Sequence, residues 1–85
     1  MSFDLVYHPD VKAVDIPLLN ETLKRRIKKA IEERLKIAPQ EYGEPLRKTL
    51  KGYWKMRVGD YRIIFDMEND TLTILKVGHR KYIYR

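Results

Sequence analysis

From Tyr53 to Phe65 apolar and polar residues alternate on either side of Gly59-Asp60, the pattern of two β-strands joined by a tight turn. A two-residue loop there pairs Val58 with Tyr61, Arg57 with Arg62, Met56 with Ile63, Lys55 with Ile64 and Trp54 with Phe65. Side chains alternate across a strand, so one face of the hairpin carries Trp54, Met56, Val58, Tyr61, Ile63 and Phe65, which is a core face. The other carries Tyr53, Lys55, Arg57 and Arg62 beside Ile64 and Asp66. Like charges directly opposite each other weaken a sheet, so an Arg57–Arg62 pair with Lys55 nearby implies an anion to be placed there.

The rest of the chain supplies what packs behind that hairpin. Phe3, Leu5 and Tyr7 alternate with Asp4 and Val6, which predicts a first strand over 2–7. Asp10 to Asp15 can form one helical turn with Val11 and Val14 inward, and Pro17 interrupts it. Leu19, Leu23, Ile27, Ala30, Ile31, Leu35 and Ala38 recur at three- and four-residue spacing, predicting an amphipathic helix over 18–38 that Pro39 stops. Glu21, Glu32 and Glu33 bracket Lys24-Arg25-Arg26 and Lys28-Lys29 at ion-pairing distances, so this basic run reads as a solvated helix face. Gly43 and Pro45 mark 40–50 as a loop or short turn, anchored by Tyr42 and Leu46. After a turn at Asn69-Asp70, a strand over 71–77 places Leu72 and Ile74 with Phe65 and Met67, and Leu75 and Val77 with Ile64 and the arginines, before a break at Gly78. The predicted class is α+β: one domain over 1–85, with an N-terminal strand, one short and one long helix, and an antiparallel meander of three to four strands. The helices cover one sheet face and leave the other as a cationic trough.

Composition sharpens this picture. Eighty-five residues, 44% of them hydrophobic, give one modest core. The absence of cysteine excludes disulfides and thiolate chemistry. With no basic n-region before an apolar stretch and no long apolar run, a soluble, cytoplasmic protein without a membrane segment is expected. The net charge of +6 is uneven: residues 1–44 balance eight Lys/Arg against eight Asp/Glu, and residues 45–85 hold ten against four. Such concentration attracts polyanions, nucleic acid foremost.

Chemistry narrows by elimination. There is no phosphate loop, no His-Glu-x-x-His and no carboxylate pair beside the trough. Two histidines, His8 and His79, make a poor metal set, so no metal or cofactor is expected. The only serine is Ser2. Cations with Tyr and His suit metal-free phosphodiester cleavage of RNA, because the 2′-OH is the substrate's own nucleophile. Arg57, Arg62 and Arg80 can grip the scissile phosphate. For proton transfer, a lysine crowded by cations gives up its proton more readily, which favours Lys55; an imidazole titrates near neutrality without such tuning, which favours His79. Tyr84 can stack on a base or orient a proton.

Tyr42-Gly43-Glu44-Pro45-Leu46, the run from Leu50 through Lys55-Met56-Arg57-Val58-Gly59-Asp60-Tyr61-Arg62 to Phe65, Val77-Gly78-His79-Arg80 and Tyr84-Arg85 resemble the RelE/ParE superfamily of bacterial and archaeal toxins over essentially the whole chain. The resemblance implies the toxin of a type II toxin–antitoxin module, restrained by a cognate antitoxin. RelE-type members cleave mRNA on the ribosome by metal-independent 2′-OH attack. By motif, Lys55 matches the general-base lysine, Arg62 the phosphate-stabilising arginine and Arg80 the arginine that helps protonate the leaving oxygen. Tyr84 matches the C-terminal tyrosine, and His79 substitutes for a second lysine whose place Tyr53 takes. Arg57, Tyr53, Lys51, Lys81 and Arg85 complete the expected RNA-contacting set. ParE-type members share the scaffold and poison DNA gyrase; a degenerate toxin that only binds partners is the third possibility.

Overall fold

The structure is a computed structural model that describes residues 2–46 and 52–83. Five strands form one sheet in the order β1-β5-β4-β3-β2: β1 Asp4–Tyr7, β2 Glu44–Pro45, β3 Trp54–Val58, β4 Tyr61–Glu68 and β5 Thr71–His79. The β3–β4 register is the one the alternation predicts, from Trp54↔Phe65 to Val58↔Tyr61. Gly59 makes this turn possible by taking φ +60° while Asp60 keeps a negative φ, the arrangement of a type II′ turn. At the β4–β5 turn Asn69 takes φ +56°, which asparagine tolerates better than most residues. β1 lies parallel to β5, Asp4 opposite Thr71 and Tyr7 opposite Ile74, so only β2 to β5 form the antiparallel meander.

The helical segment is shorter and more broken than the periodicity predicts. Leu18 belongs to a 3₁₀ turn, Ile16–Leu18, and the α-helix α1 runs from Glu21 to Ala30. The Asn20 side chain caps it by accepting the Leu23 N–H at 2.8 Å. Ile31–Leu35 widens into a π turn, with the Lys36 N–H donating to the Ile31 carbonyl at 2.9 Å. Pro39 starts a second short helix, α2 (Pro39–Tyr42), and β2 follows it, where a loop is predicted. The proline of β2 sits on an edge strand, where its missing N–H costs no ladder bond.

Ile27, Ile31 and Leu35 pack with Met56, Ile63, Phe65, Leu72 and Ile74 between the helices and one sheet face, as the helical stripe and the hairpin's apolar face require. Each large side chain fully buried there contributes about 1.5–3 kcal/mol. Three predicted positions change. Val14 is 52% exposed because the Val11–Asp15 turn is a wide π turn that buries Val11 alone. Tyr42 is half exposed and anchors nothing in the core. Val77 moves to the core face, because the β4–β5 register slips between Ile64 and Phe65: Ile64 faces Lys76, Phe65 faces Ile74, and Leu75 is left over as a bulge. Gly78 is no break; β5 runs through it to His79.

The bulge falls where β5 has lost its outer neighbour. β1 ends opposite Ile74, and the Val77 N–H is taken instead by Asp15 Oδ2 at 2.9 Å. A carboxylate sixty-two positions earlier thus closes the gap in the sheet edge.

Candidate functional site

Register alone assembles the open face. Lys55, Ile64 and Lys76 form one row across β3, β4 and β5, and Arg57, Arg62 and Gly78 form the next. Neighbouring strands lie about 4.8 Å apart, so Lys55 and Lys76 stand about 10 Å from each other across buried Ile64. Four cations therefore surround one apolar residue. Lys76 is the member that sequence reasoning misses, because without the bulge it would point into the core.

Gly78 leaves the third place of its row without a side chain, and Ile83 fills it. A Cβ on Gly78 would lie 3.1 Å from Ile83 Cδ1, and Ile83 is buried although it is outside the main core. The turn from Arg80 thus folds back onto the open face. Arg80 is tied to the hairpin turn by its own N–H, which donates to the Asp60 carbonyl at 2.8 Å, and by Nε at 3.7 Å from Asp60 Oδ1. Arg62 reaches the same turn: its Nη1 donates to the Gly59 carbonyl at 2.9 Å and to the Tyr61 carbonyl at 3.0 Å. Both acceptors fix one end of the guanidinium and leave Nη2 and Nε to face an anion. From the helix side, the Arg26 guanidinium lies within 3.4 Å of the space a Gly59 side chain would occupy. Three arginines from three elements converge on one turn. Lys24 and Lys29 behave as the solvated-face reading requires, paired with Glu21 at 3.2 Å and Glu33 at 4.0 Å; Arg26 departs from it.

His79 is not on the cationic face. It pairs with Tyr61, whose side chain belongs to the opposite side, and its ring meets the Tyr61 ring edge-on at 5.4 Å and the Tyr82 ring at 6.0 Å. Its Nδ1 accepts the Lys81 N–H at 3.1 Å, so the neutral ring carries its proton on Nε2. Tyr53 is exposed immediately before β3, and Lys81 is exposed in the closing turn. Lys51, Tyr84 and Arg85 lie outside the described residues. The face and the turn together can hold a phosphodiester by charge and by guanidinium hydrogen bonds, with Lys55 one position along β3 from Trp54 and one row from Arg62.

Residues 9–84 match the family described as the ParE toxin of the type II toxin–antitoxin system, parDE. The chain belongs to this toxin family. Within the wider RelE/ParE superfamily its relatives are RelE-like. Toxin RelG of Mycobacterium tuberculosis is 45% identical over 49 residues, covering 55% of this chain and 56% of that protein. Toxin RelE3 of Methanocaldococcus jannaschii is 45% identical over 40 residues, covering 44% and 46%. The toxin-family chain thus matches about half the length of these curated relatives. Among solved structures, the RelBE2 toxin–antitoxin complex of M. tuberculosis aligns with a TM-score of 0.87 at 24% identity, covering 94% of this chain and all of that one. The RelB–RelE antitoxin–toxin complex of Methanococcus jannaschii aligns at 0.73 with 26% identity, covering 93% and 94%. The α+β fold, with helices on one face of the sheet, is that of these neighbours.

Proposed function

We propose that this chain is the toxin of a type II pair, held by a cognate antitoxin, and that it acts as a ribosome-dependent endoribonuclease on mRNA. What carries the reading is the ring of Lys55, Arg57, Arg62 and Lys76 around Ile64, with Arg62 and Arg80 fastened to one turn. The antitoxin follows from the complexes in which the structural neighbours occur. In the proposed reaction Lys55 takes the proton of a 2′-OH, whose oxygen attacks the adjacent phosphorus. Arg62 and Arg57 hold the phosphorane charge, and the P–O5′ bond breaks. The 5′ oxygen leaves with a proton delivered from the Arg80 side, giving a 2′,3′-cyclic phosphate and a 5′-hydroxyl. His79, on the other side of the sheet, has the positioning part: its Nδ1 holds the turn that carries Arg80 and Lys81. Removing a guanidinium that stabilises developing charge costs about a hundred- to a thousandfold in rate.

Translation-dependent mRNA cleavage by the wild type and by Arg62→Ala tests this. Loss of cut ends with the fold retained is the expected result, and equal cleavage would remove the face from the mechanism. The family match to ParE toxins favours a second reading, inhibition of DNA gyrase. Induced DNA damage with intact mRNA would establish that reading instead.

A further inference from the structure

On the far side of the hairpin from the phosphate-binding row, a groove of about 520 Å³ runs between α1, the π turn after it and the outer edge of β3. Its walls bear Arg26, Lys29, Arg34 and Arg57, with Glu33 as the one carboxylate and Tyr42 at the rim. Glu33 already faces Lys29 at 4.0 Å, so the excess of positive charge stands unmatched by the groove itself.

The edge of β3 is open beside these cations. In a hairpin closed by a two-residue turn, the flanking Val58–Tyr61 pair exchanges both hydrogen bonds, and so do Met56–Ile63 and Trp54–Phe65. Tyr53, Lys55 and Arg57 must then turn their main-chain groups outward. The Tyr53 carbonyl accepts the Leu46 N–H at 2.7 Å and Lys55 meets Glu44, but β2 reaches no further. Among the described residues no strand lies against Arg57. A donor and an acceptor of the backbone therefore face a cationic groove.

We infer that this groove is the docking site of an extended acidic segment of a partner protein, which continues the line of β2 along β3. A polypeptide supplies both the acceptor and the donor that the Arg57 main chain lacks, whereas a nucleic-acid backbone offers phosphate acceptors for the side chains and no matching ladder. Carboxylates on alternate residues would meet Arg26 and Arg34 on the helix wall and Arg57 at the strand. Spanning Met56 to Gly59 takes about four extended residues, roughly 14 Å. The inference rests on the toxin–antitoxin reading only for the existence of a protein partner, and it is indifferent to whether the toxin's target is mRNA or gyrase.

The probe is an acetylated, amidated octapeptide of alternating Glu and Val, titrated into the isotope-labelled full chain. A Lys–Val octapeptide and a uridine hexanucleotide serve as comparisons. The expected result is that only the acidic peptide slows hydrogen exchange at the Arg57 amide and shifts the Arg26 and Arg34 side-chain signals. Lys29→Glu with Arg34→Glu, both on the exposed helix surface, should weaken its binding about tenfold, as should a milder Lys29→Gln with Arg34→Gln pair to a smaller degree. An unprotected Arg57 amide, shifts confined to Lys55 and Lys76, or tighter occupation of the groove by the hexanucleotide would each overturn the inference. Arg62→Ala separates the two claims: it is expected to abolish cleavage while leaving peptide binding in the groove as it was.

Discussion

Arg57 and Arg62 face each other across two strands, and what each guanidinium touches contains the repulsion. Arg62 is drawn to the Gly59 and Tyr61 carbonyls and Arg57 leans to the helix-side groove, so neither charge is forced onto the other. Arg62→Lys would keep the charge and lose the fork that reads two carbonyls at once. Gly43 is a different case of a residue set by its surroundings. A Cβ there would lie 2.5 Å from Phe65 Cζ and 2.9 Å from the Pro39 carbonyl. Neither a buried ring nor a main-chain oxygen can move aside cheaply, so Gly43→Ala should lower stability by about 1–3 kcal/mol, measured by urea denaturation. Tyr7 offers a pH test. Burial, and then the charge of Glu32, push its phenol above its ordinary value. A raised acid is stabilising while it stays neutral: its contribution is complete below about pH 10 and is lost as pH climbs toward the folded value, because the unfolded chain ionises first. Tyr7→Phe should flatten the alkaline fall of the unfolding free energy, and an unchanged slope would refute the assignment.

At the scale of elements, β5 shows where sequence stops being readable. The β3–β4 hairpin is legible because its register follows from one local signal, a Gly-Asp turn between alternating runs, and the helical stripe is legible because seven apolar positions share a period. The phase of β5 is not local. Strict alternation puts Val77 beside Ile64, while the folded strand spends Leu75 on a bulge and reverses every residue after it. What sustains the reversal is the side chain of Asp15, which no window around β5 contains. The same reversal brings Lys76 onto the open face and takes His79 off it, so the candidate site was half legible: the three motif cations Lys55, Arg57 and Arg62 were, and their fourth companion was not. Asp15→Ala should leave the Val77 N–H without its acceptor, costing about 1–3 kcal/mol and speeding exchange at that amide, whereas Asp15→Asn keeps an acceptor and should retain most of the protection. Equal exchange in both variants would show that packing alone holds the bulge.

The whole molecule divides its labour between two faces of one sheet. One is filled by helices. The other keeps its charge in the open, and the +6 net charge comes wholly from residues 45–85. If Lys55, Arg57, Arg62 and Lys76 each neutralise one phosphate, binding to single-stranded RNA should weaken with salt at a log–log slope of about −3. Lys76→Gln should reduce that slope by about 0.7. A slope insensitive to Lys76 would place the RNA elsewhere.

The parallel pairing of β1 with β5 has a consequence for how such a protein comes into being. The first strand has one neighbour in the sheet, and that neighbour is the last strand made, with Asp4 waiting for Thr71. A nascent chain can form α1 and close the β3–β4 hairpin early, since those contacts are local. It cannot complete the sheet, seat Asp15 on Val77 or set the phase of β5 until translation has passed nearly the whole coding sequence. Maturation of the cationic face is therefore delayed to the end of synthesis, so the ribosome that makes this chain is spared by it until the product is almost finished.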